Sequence, residues 1–66
     1  MNQFKPYKRG FLTVFAYQSQ EKIVLNSSKG EIRVEQGDYI VRGPRGEIYP
    51  FKPEMFHSFY KPTEKE

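Results

Sequence analysis

The chain has no cysteine and no tryptophan, and only one histidine and one aspartate among its 66 residues. Without cysteine it cannot use the disulfides or thiolate zinc sites that commonly staple domains of this size. A Ser-His-Asp or Cys-His arrangement would have to be assembled around His57 alone, and a metal site from carboxylates alone. Catalysis, a metal and a cofactor are therefore not expected. Long apolar runs are also missing: none approaches the roughly 20 residues of a membrane-spanning helix, and the stretch from Met1 to Gly10 lacks the apolar segment of a signal peptide. A soluble, cytoplasmic protein without a membrane partner is expected.

Aromatic rings are abundant instead. Six Phe and five Tyr are too many for a disordered segment. A chain this short buries only about 60% of its unfolded surface, so the rings must supply most of the core, and no deep catalytic cleft fits. Phe11, Phe15, Phe56 and Phe59 are expected in the core, while Tyr7, Tyr17, Tyr39 and Tyr49 can bury a ring and keep a wet hydroxyl. The net charge of +3 is unevenly placed. Lys5, Lys8 and Arg9 precede Gln20 with no acid among them, whereas from Glu21 onward eight basic residues meet eight acidic ones. The expected organisation is a basic lead over residues 1–10, one small β domain over 11–61 and a solvated tail over 62–66.

The run Phe11-Leu-Thr-Val-Phe-Ala-Tyr-Gln18 is dense in aromatic and β-branched residues on both alternating faces, which predicts a central strand covered on both sides. A short strand over Lys22–Asn26 follows. Ser27-Ser-Lys-Gly30 is turn chemistry, and Glu31-Ile-Arg-Val-Glu35 alternates strictly, as a half-buried antiparallel strand does. Tyr39–Arg42 and Glu47–Phe51 flank Gly43-Pro-Arg-Gly46, where Pro44 suits the second and Gly46 the fourth position of a type I turn. Pro50 puts the last of these strands at an edge. Pro53 and Glu54 open a helical pattern through Met55, Phe56, Phe59 and Tyr60. The fold class read from this is mainly β: a small antiparallel five-stranded barrel or half-barrel, SH3-like or OB-like, with a short C-terminal helix.

The segment Gly37 to Tyr60 resembles one that recurs near the C-terminal end of many small, mostly uncharacterised bacteriophage and prophage proteins. Gly37, Asp38, Tyr39, Ile40, Gly43, Gly46, Glu47, Tyr49, Pro50, Lys52, Pro53, Phe56 and Tyr60 carry the likeness. Gln36 and Phe51 depart from it, standing where the relatives have Pro and Cys. The resemblance implies a phage-encoded accessory protein working in the host cell cytoplasm, and it brings no activity with it.

Basic residues interleaved with rings form the most suggestive pattern. Lys5, Tyr7, Lys8 and Arg9 make one cluster; Tyr39, Arg42, Arg45, Tyr49 and Lys52 make another around the hairpin tip. Rings stack on bases and the cations neutralise phosphates. These nine residues are the expected ligand-binding set, for a nucleotide, a cyclic oligonucleotide or single-stranded nucleic acid. The alternative is a protein-protein module that blocks a host enzyme or defence protein through exposed Tyr and Arg anchors. Homo-oligomerisation is compatible with both, because an edge strand and a small core favour pairing. His57 is read as an ordinary helix residue, Asp38 as a turn residue, and Glu47 as a partner of Arg42 or Arg45 across the hairpin.

Overall fold

The computed structural model describes residues 3–63. They form seven strands and one helix: β1 (Lys5–Arg9), β2 (Leu12–Gln18), β3 (Ile23–Ser27), β4 (Gly30–Val34), β5 (Tyr39–Arg42), β6 (Ile48–Phe51), α1 (Pro53–Phe59) and β7 (Lys61–Pro62). Five of the strands make one sheet in the order β6-β5-β2-β1-β7, and β3 and β4 make a separate hairpin. Every pairing is antiparallel. The protein is thus mainly β with one short helix, as its composition implies, and β2 is central.

Three features depart from the sequence expectation. The basic lead is no lead: Lys5–Arg9 pairs residue by residue with β2, from Lys5 opposite Ala16 to Arg9 opposite Leu12. Gly10 makes the return possible. It holds φ 61 at the first position of a two-residue loop, and Phe11 in the second has no positive φ, the pattern of a type II′ hairpin turn. Pro62, assigned to a solvated tail, pairs in β7 with Tyr7 of β1, and the Thr63 N–H donates to the Pro6 carbonyl at 3.4 Å; residues 64–66 of that tail lie outside the described residues. Finally, β2 is covered on one face only. Val14 and Ala16 are buried on one face, whereas Thr13 and Phe15 on the other are exposed.

The helix explains the asymmetry. Pro53 stands at its start and Glu54 in its first turn, and the Tyr60 N–H closes its end on the Phe56 carbonyl. This lays Phe56 and Tyr60 over Val14, Ala16, Tyr39 and Val41. Phe56 is fully buried. It stacks on Tyr39 at 4.0 Å between centroids and on Tyr60 at 5.1 Å, with Tyr7 edge-on at 4.8 Å. Of the four phenylalanines expected in the core only Phe56 is there. Phe11 is 105% exposed at the hairpin apex, and Phe15 and Phe59 are 41% and 40% exposed. One seven-residue helix offers a single row of core-facing rings, so Phe59 falls beside it, and Phe15 points off the opposite face of the sheet.

On that opposite face Ile40 is buried, and β4 lies against β6, so the β3–β4 hairpin covers the β5–β6 half. The apolar row of the hairpin, Ile23, Leu25, Ile32 and Val34, is half-buried to buried. The β1–β2 half stays open. Both outer strands of the sheet, β6 and β7, contain a proline, which removes a ladder donor and disfavours edge-to-edge pairing with a second copy.

Candidate functional site

The strand register assigns every side chain of the sheet to a face. Val14 and Ala16 face the helix, so Thr13, Phe15 and Tyr17 face away from it. Their cross-strand partners share that face: Lys8 opposite Thr13, Pro6 opposite Phe15, Arg42 opposite Phe15 from the other side, and Lys61 opposite Lys8. Phe4, just before β1, joins them, its ring edge-on to Tyr17 at 4.8 Å. The Arg42 guanidinium lies over Phe4 at 4.6 Å and over Phe15 at 5.7 Å. The open face is therefore a row of rings and a guanidinium plane, bordered by two lysines.

Charge is segregated more sharply than the linear count suggests. The five strands of the large sheet contain Lys5, Lys8, Arg9, Arg42 and Lys61 and no acidic residue. The acids among the described residues sit in β4, the loops and the helix. Once Lys5–Arg9 is a strand, its charge is held on the sheet instead of on a loose end, and Arg42 and Lys61 add to it.

Of the nine residues expected to bind a ligand, the structure brings Lys8 and Arg42 onto the open face. Arg45 is exposed in the adjoining turn. Lys5, Tyr7 and Arg9 point to the helix side by alternation. Lys5 and Tyr7 border a polar cleft of about 200 Å³ with Gln18 and Tyr39, and Arg9 lies over the Phe59 ring at 4.7 Å. Tyr39 cannot serve as a stacking platform, because Phe56 occupies its ring face. Burial, followed by the neighbouring Tyr7 hydroxyl, raises the pKa of Tyr39. Lys52 is engaged by Asp38 at 3.3 Å.

Several residues that invite a chemical reading are occupied by turns. Asp38 is buried, accepts the Glu35 N–H at 3.0 Å and takes the Lys52 ion pair. Its backbone carbonyl receives the Ser19 N–H at 2.8 Å, which ties the start of β5 to the end of β2. Glu47 makes no ion pair with Arg42 or Arg45 among the described residues. Its carboxylate instead accepts the Arg45 backbone N–H at 2.8 Å and the Tyr49 hydroxyl at 2.9 Å. Its own backbone N–H and then the Tyr49 hydroxyl hold the Glu47 carboxyl below its usual range, and the same bond raises the Tyr49 phenol. The turn is shut by Gly46 N–H to the Gly43 carbonyl at 3.0 Å, with Pro44 and Gly46 where a type I turn wants them. His57 is exposed and edge-on to Tyr39 at 5.3 Å. Among the described residues no group of three His, Cys, Asp or Glu is placed to hold a metal ion, and no helix is long and apolar enough to cross a membrane.

Sequence reasoning missed Phe4, Thr13, Phe15, Tyr17 and Lys61 as site residues. The signal was the alternation of β1 and β2 taken together: once Gly10 is recognised as a hairpin turn, Lys8, Thr13 and Phe15 share one face. No protein-family model matches the chain, and no curated protein or solved structure matches it either.

Proposed function

We propose that this is a non-enzymatic binding module that takes single-stranded nucleic acid on the open face of its sheet. The observation that carries the reading is a five-stranded sheet with five cations and no acid, whose open face presents Phe15 and Phe4 beside the Arg42 guanidinium. Bases stack on aromatic rings and on guanidinium planes, and lysines at the border neutralise phosphates. The resemblance of Gly37–Tyr60 to phage proteins supports a phage-encoded accessory role, in which covering a nucleic-acid ligand counters a host function. The β3–β4 hairpin lying against β6 supports reading the sheet and hairpin as a half-barrel of the SH3-like or OB-like kind, an architecture that offers such faces.

The test is fluorescence anisotropy with a labelled single-stranded oligonucleotide at two salt concentrations. Three face cations, Lys8, Arg42 and Lys61, give an expected salt slope of about 2, or roughly 20-fold weaker binding from 50 to 200 mM salt. Phe15→Ala removes one stacking partner at about 1–3 kcal/mol, roughly 5- to 150-fold in affinity. Absence of binding at the lower salt, or binding untouched by Phe15→Ala, sinks the reading.

One observation favours the protein-protein alternative. Phe11 is wholly exposed at the β1–β2 apex, next to the exposed Leu12, a composition suited to an apolar anchor. A tagged pull-down from host lysate whose captured enzyme is lost with Phe11→Ala would move the assignment to this surface.

A further inference from the structure

Lys8 and Lys61 stand directly opposite one another on β1 and β7. Like charges in that register are ordinarily destabilising, and neither lysine makes an ion pair among the described residues. They border an open basin of about 710 Å³ at the sheet's edge, whose other walls are Thr13, Pro6, Gly10, Pro62 and Thr63, with no carboxylate among the described residues that line it. Thr13 is the cross-strand neighbour of Lys8 and stands two residues before Phe15 on the same face. The row Lys61–Lys8–Thr13 therefore runs alongside the row Pro6–Phe15–Arg42.

We infer that Lys8 and Lys61 form a phosphate site at the β1–β7 edge of the open face, with Thr13 placed to offer its hydroxyl. Neighbouring strands are about 4.8 Å apart, so two flexible ammonium groups from opposed positions reach one tetrahedral anion between them. The anion removes the repulsion that the register builds in. The site extends the nucleic-acid reading of the open face and depends on it for its larger ligand. A strand whose bases stack on Phe15 and Arg42 carries its phosphates along the neighbouring row, where this pair waits. The ligand chemistry is a phosphate group, either within a nucleic-acid backbone or free as a small anion.

The experiment uses the full chain and two probes. In the first arm, inorganic phosphate is titrated into the protein at low ionic strength and followed by the lysine side-chain resonances, with chloride at matched ionic strength as reference. Lys8 and Lys61 are expected to shift with phosphate well beyond chloride. Lys8→Ala/Lys61→Ala should abolish the phosphate shifts on Thr13, while Phe15→Ala leaves them in place. In the second arm, the salt slope of oligonucleotide binding should fall by about 1.4 in Lys8→Ala/Lys61→Ala, at about 0.7 per phosphate contact on a single strand. Phosphate shifts no larger than those with chloride, together with an unchanged slope, overturn the site even if the oligonucleotide binds through Phe15. Phosphate shifts without any oligonucleotide binding keep the site as one for free phosphate and remove the nucleic-acid reading. A reduced slope with no free-phosphate shift assigns the pair to backbone phosphates.

Discussion

A set of four phenylalanine-to-alanine substitutions separates the core from the open face. Phe56 is fully buried, sandwiched between Tyr39 at 4.0 Å and 6° and Tyr60 at 5.1 Å and 24°, with Tyr7 and Phe51 edge-on. Removing such a side chain costs about 3–5 kcal/mol in lost transfer energy and cavity, and the paired rings add about 0.5–1.5 kcal/mol per contact. A 66-residue chain at about 0.05–0.15 kcal/mol per residue has on the order of 3–10 kcal/mol to lose. Phe56→Ala is therefore expected to be largely unfolded in buffer, and Phe56→Leu, which keeps apolar volume but not the stacks, to lose on the order of 1–3 kcal/mol. Phe11→Ala should fall within about 0.5 kcal/mol of the parent. Phe15→Ala and Phe59→Ala, which give up exposed cation–π contacts to Arg42 and Arg9, should lose about 1 kcal/mol or less. Urea unfolding followed by far-UV circular dichroism and tyrosine fluorescence reads all five variants. A Phe56→Leu midpoint no lower than that of Phe15→Ala would refute the helix-side core described above.

Further outcomes follow from the turns. Asp38→Ala leaves the Glu35 N–H without its acceptor, a loss of about 1–3 kcal/mol in urea unfolding, whereas Lys52→Ala removes an ammonium that is 63% exposed from a buried carboxylate that keeps its Glu35 N–H bond and should cost less; equal costs would show that the ion pair dominates. At Gly43 an added Cβ would meet the Glu47 Cδ at 2.7 Å, and that carboxylate is held by two hydrogen bonds. Gly43→Ala is thus expected to destabilise the protein in the parent and to be near-neutral in a Glu47→Ala background, as a double-mutant cycle would show. For pH, the Glu47 carboxyl lies below its ordinary 4.5 in the folded protein, so its contribution is present above that value and is lost as pH falls through the folded pKa. Tyr39 and Tyr49 lie above their ordinary 10.0, so their contribution is complete below pH 10.0 and is lost as pH rises through the folded values. Urea midpoints across pH should show both limbs, with the alkaline one weakened in Tyr39→Phe/Tyr49→Phe.

Much of the fold was legible because the turns announce themselves. Pro44 and Gly46 specify the β5–β6 hairpin, Pro53 opens the helix, and Ser27 to Gly30 returns β3 into β4. The first strand was hidden because Lys5-Pro-Tyr-Lys-Arg9 is basic and contains proline, so local propensity argues against it; its pairing with β2 outweighs that preference. Phe15 was misplaced for a related reason. Apolar residues on both alternating faces of β2 imply two covered faces, but the described residues hold one helix to lay on the sheet and the β3–β4 hairpin to lay on the other side. The hairpin packs against β6. Which of two apolar faces stays open depends on where those covers land, and alternation alone does not carry that information.

The thirteen residues on which the proposed phage resemblance rests all have structural roles in this fold. Gly37 and Gly46 hold positive φ, Gly43 gives Glu47 its room, and Glu47 closes the turn with Tyr49. Asp38 and Lys52 pin the start of β5, Pro50 blunts an edge, Pro53 starts the helix, and Tyr39, Ile40, Phe56 and Tyr60 are buried. Each has a structural job. Phe4, Lys8, Thr13, Phe15 and Lys61 lie outside the segment, and Arg42 lies within it but is not one of the thirteen. The segment therefore encodes much of the frame, while the open face proposed to bind nucleic acid is written mostly in β1 and β2. A protein sharing Gly37 to Tyr60 would share the helix, the Tyr39–Phe56–Tyr60 stack and the β5–β6 hairpin, while the character of its open face would be set by the residues it places on β1 and β2.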